Sequence, residues 1–556
     1  MNVIAQRTAI FLMLVLFLAA STGPVLEGDT FWHIKTGEWI WRNHAIPEVD
    51  VFSYTAQTKD PVRPHSVRHD LIMKGYWLSQ PLLYLVHDTF GVPGLVMMRA
   101  LMVALVLLVL HLWMQRLRVR FSIIIVSLIL VGFFIRNMGD RPHYFSFLFF
   151  PLAAQLLEYL RTSSENRARR RAILLLCSLM LLWANMHGGY VMGVILILIY
   201  LGPALWRSVQ GRSSLSLVAS YGAAVLITLI NPNTYKVFQG LYHEVTGGVQ
   251  FKYVAEMMPA WQTAQLSGAY NPTFWLALVL ALITVMLRLR SMAIERVLAL
   301  LFFGVFAVMV QRIIFFFLLL IPFTAAELSD LLGIRFRKAV RAAAALSIAV
   351  VLFTVGQNRQ FLFNYSLDDM FPQESAQFLN TTKPRGNLFN FSDWGGYLMV
   401  HAPEYKVFHD GRRLMDDIET VHAYILLGSE NLFQGVPLWK AYLDAFTIEI
   451  ILVPSVTPHM RDYCGIVQRL YRDDQWSLVF RDKVSLVYLK KGGQNDDLIR
   501  AHSLPKEIAL IDAIGRLHTY ATAAEQKRNA RIIADLYRLL NRPDEAKQYY
   551  NLSESL

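Results

Sequence analysis

Apolar residues recur along most of the chain in runs that approach the ~20 residues a helix needs to cross a bilayer. The first covers Thr8 to Leu26, behind Arg7. Others cover Val92–Trp113, Phe121–Ile135, Tyr144–Leu160, Ala172–Asn185, Val191–Trp206, Leu215–Ile230, Phe274–Leu287, Val297–Val310, Ile313–Leu328 and Ala342–Val355. Together they predict about eleven transmembrane helices. A basic start before an apolar stretch also fits a signal peptide, but the spans behind it favour a retained helix. Between Glu27 and Phe90 the pattern changes to a polar-aromatic loop. Trp32, Lys35, Trp39 and Arg42 predict a short helix lying along the interface, and Tyr76 to His87 a second. Pro47, Pro61 and Pro64 forbid one continuous helix between them.

The pattern changes again beyond about Gly356. Phe371 to Leu489 alternates polar and apolar residues between Pro, Gly and Asp turn signals. Strand-like runs stand at Ile448–Val453 and Val484–Leu489, and a helical one at Glu374–Leu379, which together read as an α/β domain. From Ala501 onward Ile508, Leu510, Ile514 and Leu517, then Ile532, Ala534, Leu536 and Leu540, recur at helical spacing. Asn541 to Ala546 resembles the turn inside a tetratricopeptide (TPR) repeat. One or two such hairpins are too few for a solenoid and predict a helical cap. The expected organisation is a transmembrane domain over 1–356 containing the first loop 27–90, an α/β domain over 357–492, and a helical tail over 500–556.

Composition supports a polytopic α-helical membrane protein: 55% of residues are hydrophobic and only 17% charged. The formal net charge of +12 does not point to nucleic acid, because the arginines fall between apolar runs and form no basic face with interleaved aromatics. Arg116, Arg118 and Arg120, then Arg161 with Arg167 to Arg171, Arg207 with Arg212, Arg288 to Arg296, and Arg335 to Arg341 all land on one side of the predicted topology. The positive-inside rule makes that side cytoplasmic. The first loop and everything after Gly356 then lie outside the cytoplasm. Cys177 and Cys464 fall in a predicted span and in the α/β domain, so a mutual disulfide and a CxxC metal site are both excluded.

Candidate chemistry gathers on the outer ends of the spans. Glu27, Asp29 and His33 open the first loop. Asp140-Arg141-Pro142-His143, Trp183 to Gly189 (with Asn185 and His187) and Gln311-Arg312 follow at later outer turns. Ionisable groups this close to hydrocarbon are costly and usually pair or face a cavity. Arg141 and Arg312 break the positive-inside pattern, although either could snorkel to headgroups. The set suits a lipid-linked sugar phosphate. Guanidinium groups stabilise a departing phosphate, a carboxylate takes a proton from the incoming hydroxyl or amine, and histidines bind phosphate or assist proton transfer. Glu27 and Asp29 also permit a divalent ion, Mg or Mn, without requiring one. No Walker or dinucleotide-binding glycine motif is present.

These features resemble the GT-C glycosyltransferase superfamily, which includes the protein mannosyltransferases, the aminoarabinose-lipid transferase and the oligosaccharyltransferase catalytic subunit. The chain is most similar to a bacterial branch with D-x-x-W-H-x-x-x-G (Asp29, Trp32, His33, Gly37), R-P-H (Arg141 to His143) and W-x-N-x-H-G-G (Trp183 to Gly189). Asn231-Pro232 and an outer arginine, Arg312, follow. D-W-G-G-Y-L (Asp393 to Leu398) and D-G-R (Asp410 to Arg412) come last. The resemblance runs to about residue 490. It implies Asp29 as the catalytic base with Glu27 assisting or binding metal. Arg141 and Arg312 would hold the phosphate, and His33, His143 and His187 would line the site. One departure stands in the first loop, where Tyr76 occupies a position that is often acidic. The last two motifs read as structural, a buried turn and a strand-ending turn with a salt bridge.

The expected function is transfer of a sugar from a polyprenyl-phosphate-linked donor to an extracytoplasmic glycan, lipid or protein, in the bacterial inner membrane. Asn185 and His143 are expected in the binding set, and the helical tail is expected to offer a surface to a protein partner. Two alternatives remain: a transporter or flippase for a lipid-linked glycan, which predicts charged or broken helices toward the cytoplasm, and a non-catalytic envelope assembly protein working through its soluble part.

Overall fold

The computed structural model describes residues 3–25, 27–56, 67–136, 139–163, 166–211, 215–247, 255–262, 272–332, 337–357, 359, 362–363, 370–458, 462–518 and 523–556. Pro61, Pro64, Arg212 and Arg335 lie outside these residues. The chain divides into two compact units. One comprises 1–25, 40–46 and 70–366; the other comprises 26–39, 47–69 and 367–556. Most of the first loop up to His69 therefore clusters with the C-terminal part of the chain, not with the helices it was grouped with from sequence.

The first unit is helical. It contains α1 (Val3–Ala20), the end of α2 (Asp29–Asn43), α4 (Ser79–Arg116), α5 (Phe121–Ile135), α6 (His143–Thr162), α7 (Asn166–Met186), α8 (Tyr190–Val209), α9 (Leu215–Leu226) and α10 (Lys236–Gly247). The helix α3 (Val67–Lys74) enters it at Asp70. After these come α11 (Pro272–Arg288), α12 (Ile294–Met309), α13 (Ile314–Leu318), α14 (Ile321–Leu331) and α15 (Arg337–Gln357). Among the described residues, α4 and α8 are each long and apolar enough to cross a membrane.

A third candidate is broken. The run expected as one span over Ile313–Leu328 is two helices bent by 50°. Pro322 lies in the first turn of the second helix, where its missing N–H costs nothing but where it cannot continue the first. The long helix α4 is also divided, at Gly91, whose φ of 62° and ψ of −157° only glycine adopts readily. The expected interface helix thus ends there and the expected span begins just after it. That interface helix starts at Ser79 and not Tyr76, and the Leu78 amide just before it bonds the Asn185 carbonyl at 3.4 Å instead of a helical partner.

One end of this unit carries buried charge whose arginines were read from sequence only as an orientation signal. Arg296 of α12 donates to Glu158 of α6 at 2.6 Å and reaches Glu327 of α14 at 3.4 Å. Arg161 and the Tyr200 hydroxyl also donate to Glu158, at 3.1 and 2.7 Å, and Arg288 of α11 donates to Glu327 at 2.9 Å. Five helices, α6, α8, α11, α12 and α14, are tied by one charge-compensated network.

The second unit is built on a four-stranded sheet in the order β1-β4-β6-β5. Its strands are β1 (Asn387–Asn390), β4 (Ile448–Val453), β5 (Trp476–Arg481) and β6 (Leu486–Lys490), and a separate hairpin holds β2 (Leu432–Phe433) and β3 (Val436–Pro437). β1 runs parallel to β4, and the remaining pairs are antiparallel. β6 starts two residues later than the apolar pattern predicts, because Asp482 Oδ1 captures the amides of Val484 and Ser485 at 2.9 and 2.7 Å. The helices after residue 506 share this unit's core: Leu510, Ile514, Leu517, Ile533 and Leu536 are buried with Ile451, Leu478 and Tyr488. At the Asn541-Arg542-Pro543 turn, Asn541 adopts φ 55° and the Arg542 amide bonds the Tyr537 carbonyl at 2.9 Å, which ends one helix so that Pro543 can begin the next.

Candidate functional site

In the first unit Arg141 and Arg312 meet on one carboxylate. Arg141 donates to Glu256 Oε1 at 2.9 Å, and Arg312 Nε lies 3.9 Å from Glu256 Oε2. Glu256 stands on a one-turn 3₁₀ helix (Ala255–Met257) and Arg312 on another (Gln311–Ile313). The two turns are joined by the Gln311 amide, which donates to the Met258 carbonyl at 3.0 Å.

His187 belongs to the same cluster. It lies in the turn between α7 and α8, and Nδ1 accepts from the Gly189 amide at 2.9 Å. An amide can only donate, so Nδ1 carries no proton and the neutral ring is protonated on Nε2. Ser146 Oγ, 2.6 Å from Nδ1, must then donate to it, and that oxygen accepts from Trp183 Nε1 at 2.7 Å. Burial holds His187 well below the usual imidazole range, and the positive charges of Arg312 and Arg141 push it the same way. The Tyr76 ring lies 5.6 Å from the His187 ring.

Other expected residues are placed differently. Asn185 works as a staple: its carbonyl oxygen accepts from Trp77 Nε1 at 2.9 Å, and its amide nitrogen donates to the carbonyls of Leu181 and Ile230 at 2.9 and 2.8 Å. His143 opens α6 and packs edge-on to Phe147 at 5.1 Å. Asp140 pairs at 2.8 Å with buried Arg99 of α4, which also donates to the carbonyls of Ser21, Gly23 and Pro24.

In the second unit Asp29 opens α2. Trp32 Nε1 donates to Asp29 Oδ1 at 3.0 Å, one helical turn on. Trp32 and His33 are both buried, their rings 3.5 Å apart by centroid. Phe31 on the same turn is wholly buried against Phe371, Tyr397 and His401. The D-W-G-G-Y-L motif makes this close fit possible. A Cβ on Gly396 would stand 2.5 Å from the Gly28 carbonyl and 3.0 Å from the Trp32 amide, and one on Gly28 would overlap the Asp393 carbonyl.

The D-G-R motif reaches the same place. A Cβ on Gly411 would overlap Asp29 Oδ1. Arg412 beside it is fully buried and gripped from two sides. It donates to Asp50 at 2.8 and 3.0 Å, and to Asp410 at 2.8 and 2.7 Å. Burial opposes its charge, but Asp410 and then Asp50 more than offset that and hold it protonated above its ordinary value. Asp50 is fixed in turn by the amides of Phe52 and Ser53, both at 3.1 Å.

Among the described residues no group of three or more His, Cys, Asp or Glu side chains is placed to hold a metal. A divalent ion at Glu27 and Asp29 would have to complete its shell with water and substrate, which magnesium commonly does.

No family model matches the chain, and no curated protein matches its sequence. Solved structures do match. The apo oligosaccharyltransferase of Archaeoglobus fulgidus aligns with a TM-score of 0.52 at 10% identity, over 87% of this chain and 75% of that one. ArnT from Cupriavidus metallidurans bound to undecaprenyl phosphate aligns with a TM-score of 0.50 at 10% identity, over 88% and 98%. The fold is GT-C-like.

Sequence reasoning missed Glu256, Ser146 and Asp50, which shape the two clusters, and Arg99, which pairs with Asp140. Glu256 could have been found by asking what balances Arg141 and Arg312, since the segment from Asn233 to Thr273 holds only two acids, Glu244 and Glu256. Arg99 left a signal too, as the lone Arg, Lys, Asp or Glu in the apolar run Val92–Trp113, whereas Ser146 and Asp50 sit in ordinary-looking helix and loop sequence and carry none.

Proposed function

We propose that the chain is a membrane glycosyltransferase of the GT-C kind. It spans the bilayer about eleven times, keeps its arginine clusters in the cytoplasm, and has its first loop and the chain after Gly356 outside. The donor is a sugar on polyprenyl phosphate, and the acceptor is an extracytoplasmic glycan, lipid or protein. The observation that carries this reading is the carboxylate shared by Arg141 and Arg312 beside a neutral histidine. Two guanidinium groups converging on one anion are suited to a phosphate.

In this mechanism Asp29 takes the proton from the acceptor hydroxyl or amine. The acceptor atom bonds to the anomeric carbon as the bond from that carbon to the phosphate oxygen breaks. The electron pair leaves with the phosphate, where Arg141 and Arg312 stabilise it and His187 offers its Nε2 proton as a hydrogen bond. His33 is buried with its ring against Trp32 and supports the helix that carries the base. The likeness to ArnT, whose structure holds undecaprenyl phosphate, supports a lipid-phosphate donor.

A flippase reading draws on the buried charges around Glu158 and Glu327. In that network each carboxylate is met by an arginine from a neighbouring helix, which supports a brace rather than an ion path. The deciding experiment compares lipid-linked glycans and surface polysaccharide in cells lacking the protein, cells carrying it, and cells carrying Asp29→Asn. Loss of transfer with normal expression is expected. Full transfer by Asp29→Asn would remove the base and this mechanism with it.

A further inference from the structure

The D-G-R and D-W-G-G-Y-L motifs were read from sequence as ordinary turns, and nothing in the mechanism above uses them. Their position in the second unit gives them a role. The Asp29 carboxylate is held on two sides: Trp32 Nε1 donates to Oδ1 at 3.0 Å, and the Gly411 backbone packs against the same oxygen so closely that no side chain fits between.

The Gly411 turn is itself immobilised. Asp410 and Arg412 on either side of it form a buried pair with two hydrogen bonds, and Asp50 closes the far side of Arg412 with two more. Gly395 packs its Cα against Asp410, where a Cβ would come within 2.5 Å of both Asp410 Cβ and the His409 carbonyl. Gly396 brings the second motif against the backbone of Gly28 and Trp32. Both motifs therefore close on the first turn of α2 and bear on the placement of one carboxylate.

We propose that the Asp410-Gly411-Arg412 turn is a positioning element for Asp29, with the Arg412–Asp50–Asp410 cluster as its anchor and Trp32 as its second contact. The proposal rests on the reading of Asp29 as the base. Glycine at 411 is required for lack of space and not for backbone freedom, since its φ lies outside the left-handed region. Gly411→Ala therefore keeps the turn and displaces the carboxylate. A displacement of about 1 Å at a catalytic group costs on the order of 10²-fold in rate.

The test uses full-length protein with the lipid-linked sugar pool extracted from cells lacking it. Release of undecaprenyl phosphate gives the maximal rate, and a separate titration gives the Kd for undecaprenyl phosphate. Gly411→Ala is expected to lower the maximal rate about 10²-fold while leaving that Kd and the thermal midpoint unchanged. Trp32→Phe keeps the buried ring, loses the indole donor, and should lower the rate in the same sense. It decides the matter if Gly411→Ala fails to fold. A wild-type rate in whichever of these variants folds, alongside an inactive Asp29→Asn, overturns the positioning role and leaves the base assignment standing. Full activity of Asp29→Asn overturns the base assignment first.

Discussion

Arg141 Nη2 donates to Glu256 Oε1 at 2.9 Å, and the other oxygen of that carboxylate faces Arg312 at 3.9 Å. If the arginines hold a lipid phosphate, Glu256 competes for the same donors. Arg141→Ala or Arg312→Ala should weaken undecaprenyl phosphate binding and cut transfer by about 10²-fold, the usual cost of losing one donor to a developing anion. Glu256→Gln should act in the opposite direction and tighten binding. Glu256 and Arg312 are both partly exposed, so the gain is capped near 1 kcal/mol, roughly five-fold in Kd. Titration of undecaprenyl phosphate at low ionic strength measures all three, and weaker binding by Glu256→Gln would show that the carboxylate organises the arginines instead.

The apolar pattern made much of the helical unit legible. Phe121–Ile135 and Ile448–Val453 begin and end where the sequence places them, because Arg120 and Arg136 bound the first and Thr447, at φ 49°, and Pro454 bound the second. Boundaries slip where a side chain from outside the element takes its first amides, as Asp482 does before β6. In the site, the residue types were legible and the pairings were not. Glu256 and Arg141 are 115 positions apart and Asp50 and Arg412 are 362 apart. Composition and periodicity carry no information about which distant charges meet. Asn185 shows the same limit: its motif gave no sign of its hydrogen bonds to Trp77, Leu181 and Ile230.

Asp140 was singled out with Arg141 as one motif, yet the two face different partners. The Arg99–Asp140 pair is buried on both sides, and Arg99 also serves the carbonyls that end α1. Removing one member of such a pair strands the other charge and typically costs about 3–5 kcal/mol. Asp140→Ala is therefore expected to lower the thermal midpoint and the yield of folded protein. Arg99→Met combined with Asp140→Leu should recover much of that loss. A double variant no better than Asp140→Ala would mean that the carbonyls at Ser21, Gly23 and Pro24 need Arg99 more than they need charge balance.

His422 makes the second unit sensitive to acid. It is buried against Phe389 with ring centroids 5.1 Å apart, and Nε2 lies 3.1 Å from the Asn390 carbonyl at the end of β1. A carbonyl only accepts, so Nε2 carries the proton. Burial, helped by His409 nearby, pushes His422 down to about 3, although the Asn390 bond acts the other way. The unfolded chain takes up this proton near pH 6.5 and the folded chain does not. Stability from this residue is therefore complete above about pH 6.5 and is lost as pH falls from there toward 3, at up to about 1.4 kcal/mol per pH unit. Thermal unfolding of the full-length protein at pH 7.5, 6, 5 and 4 should show a falling midpoint. His422→Gln, whose amide can still donate to Asn390 but does not titrate, should fall less steeply over the same range. Parallel curves for the two proteins would place the acid sensitivity elsewhere in the protein.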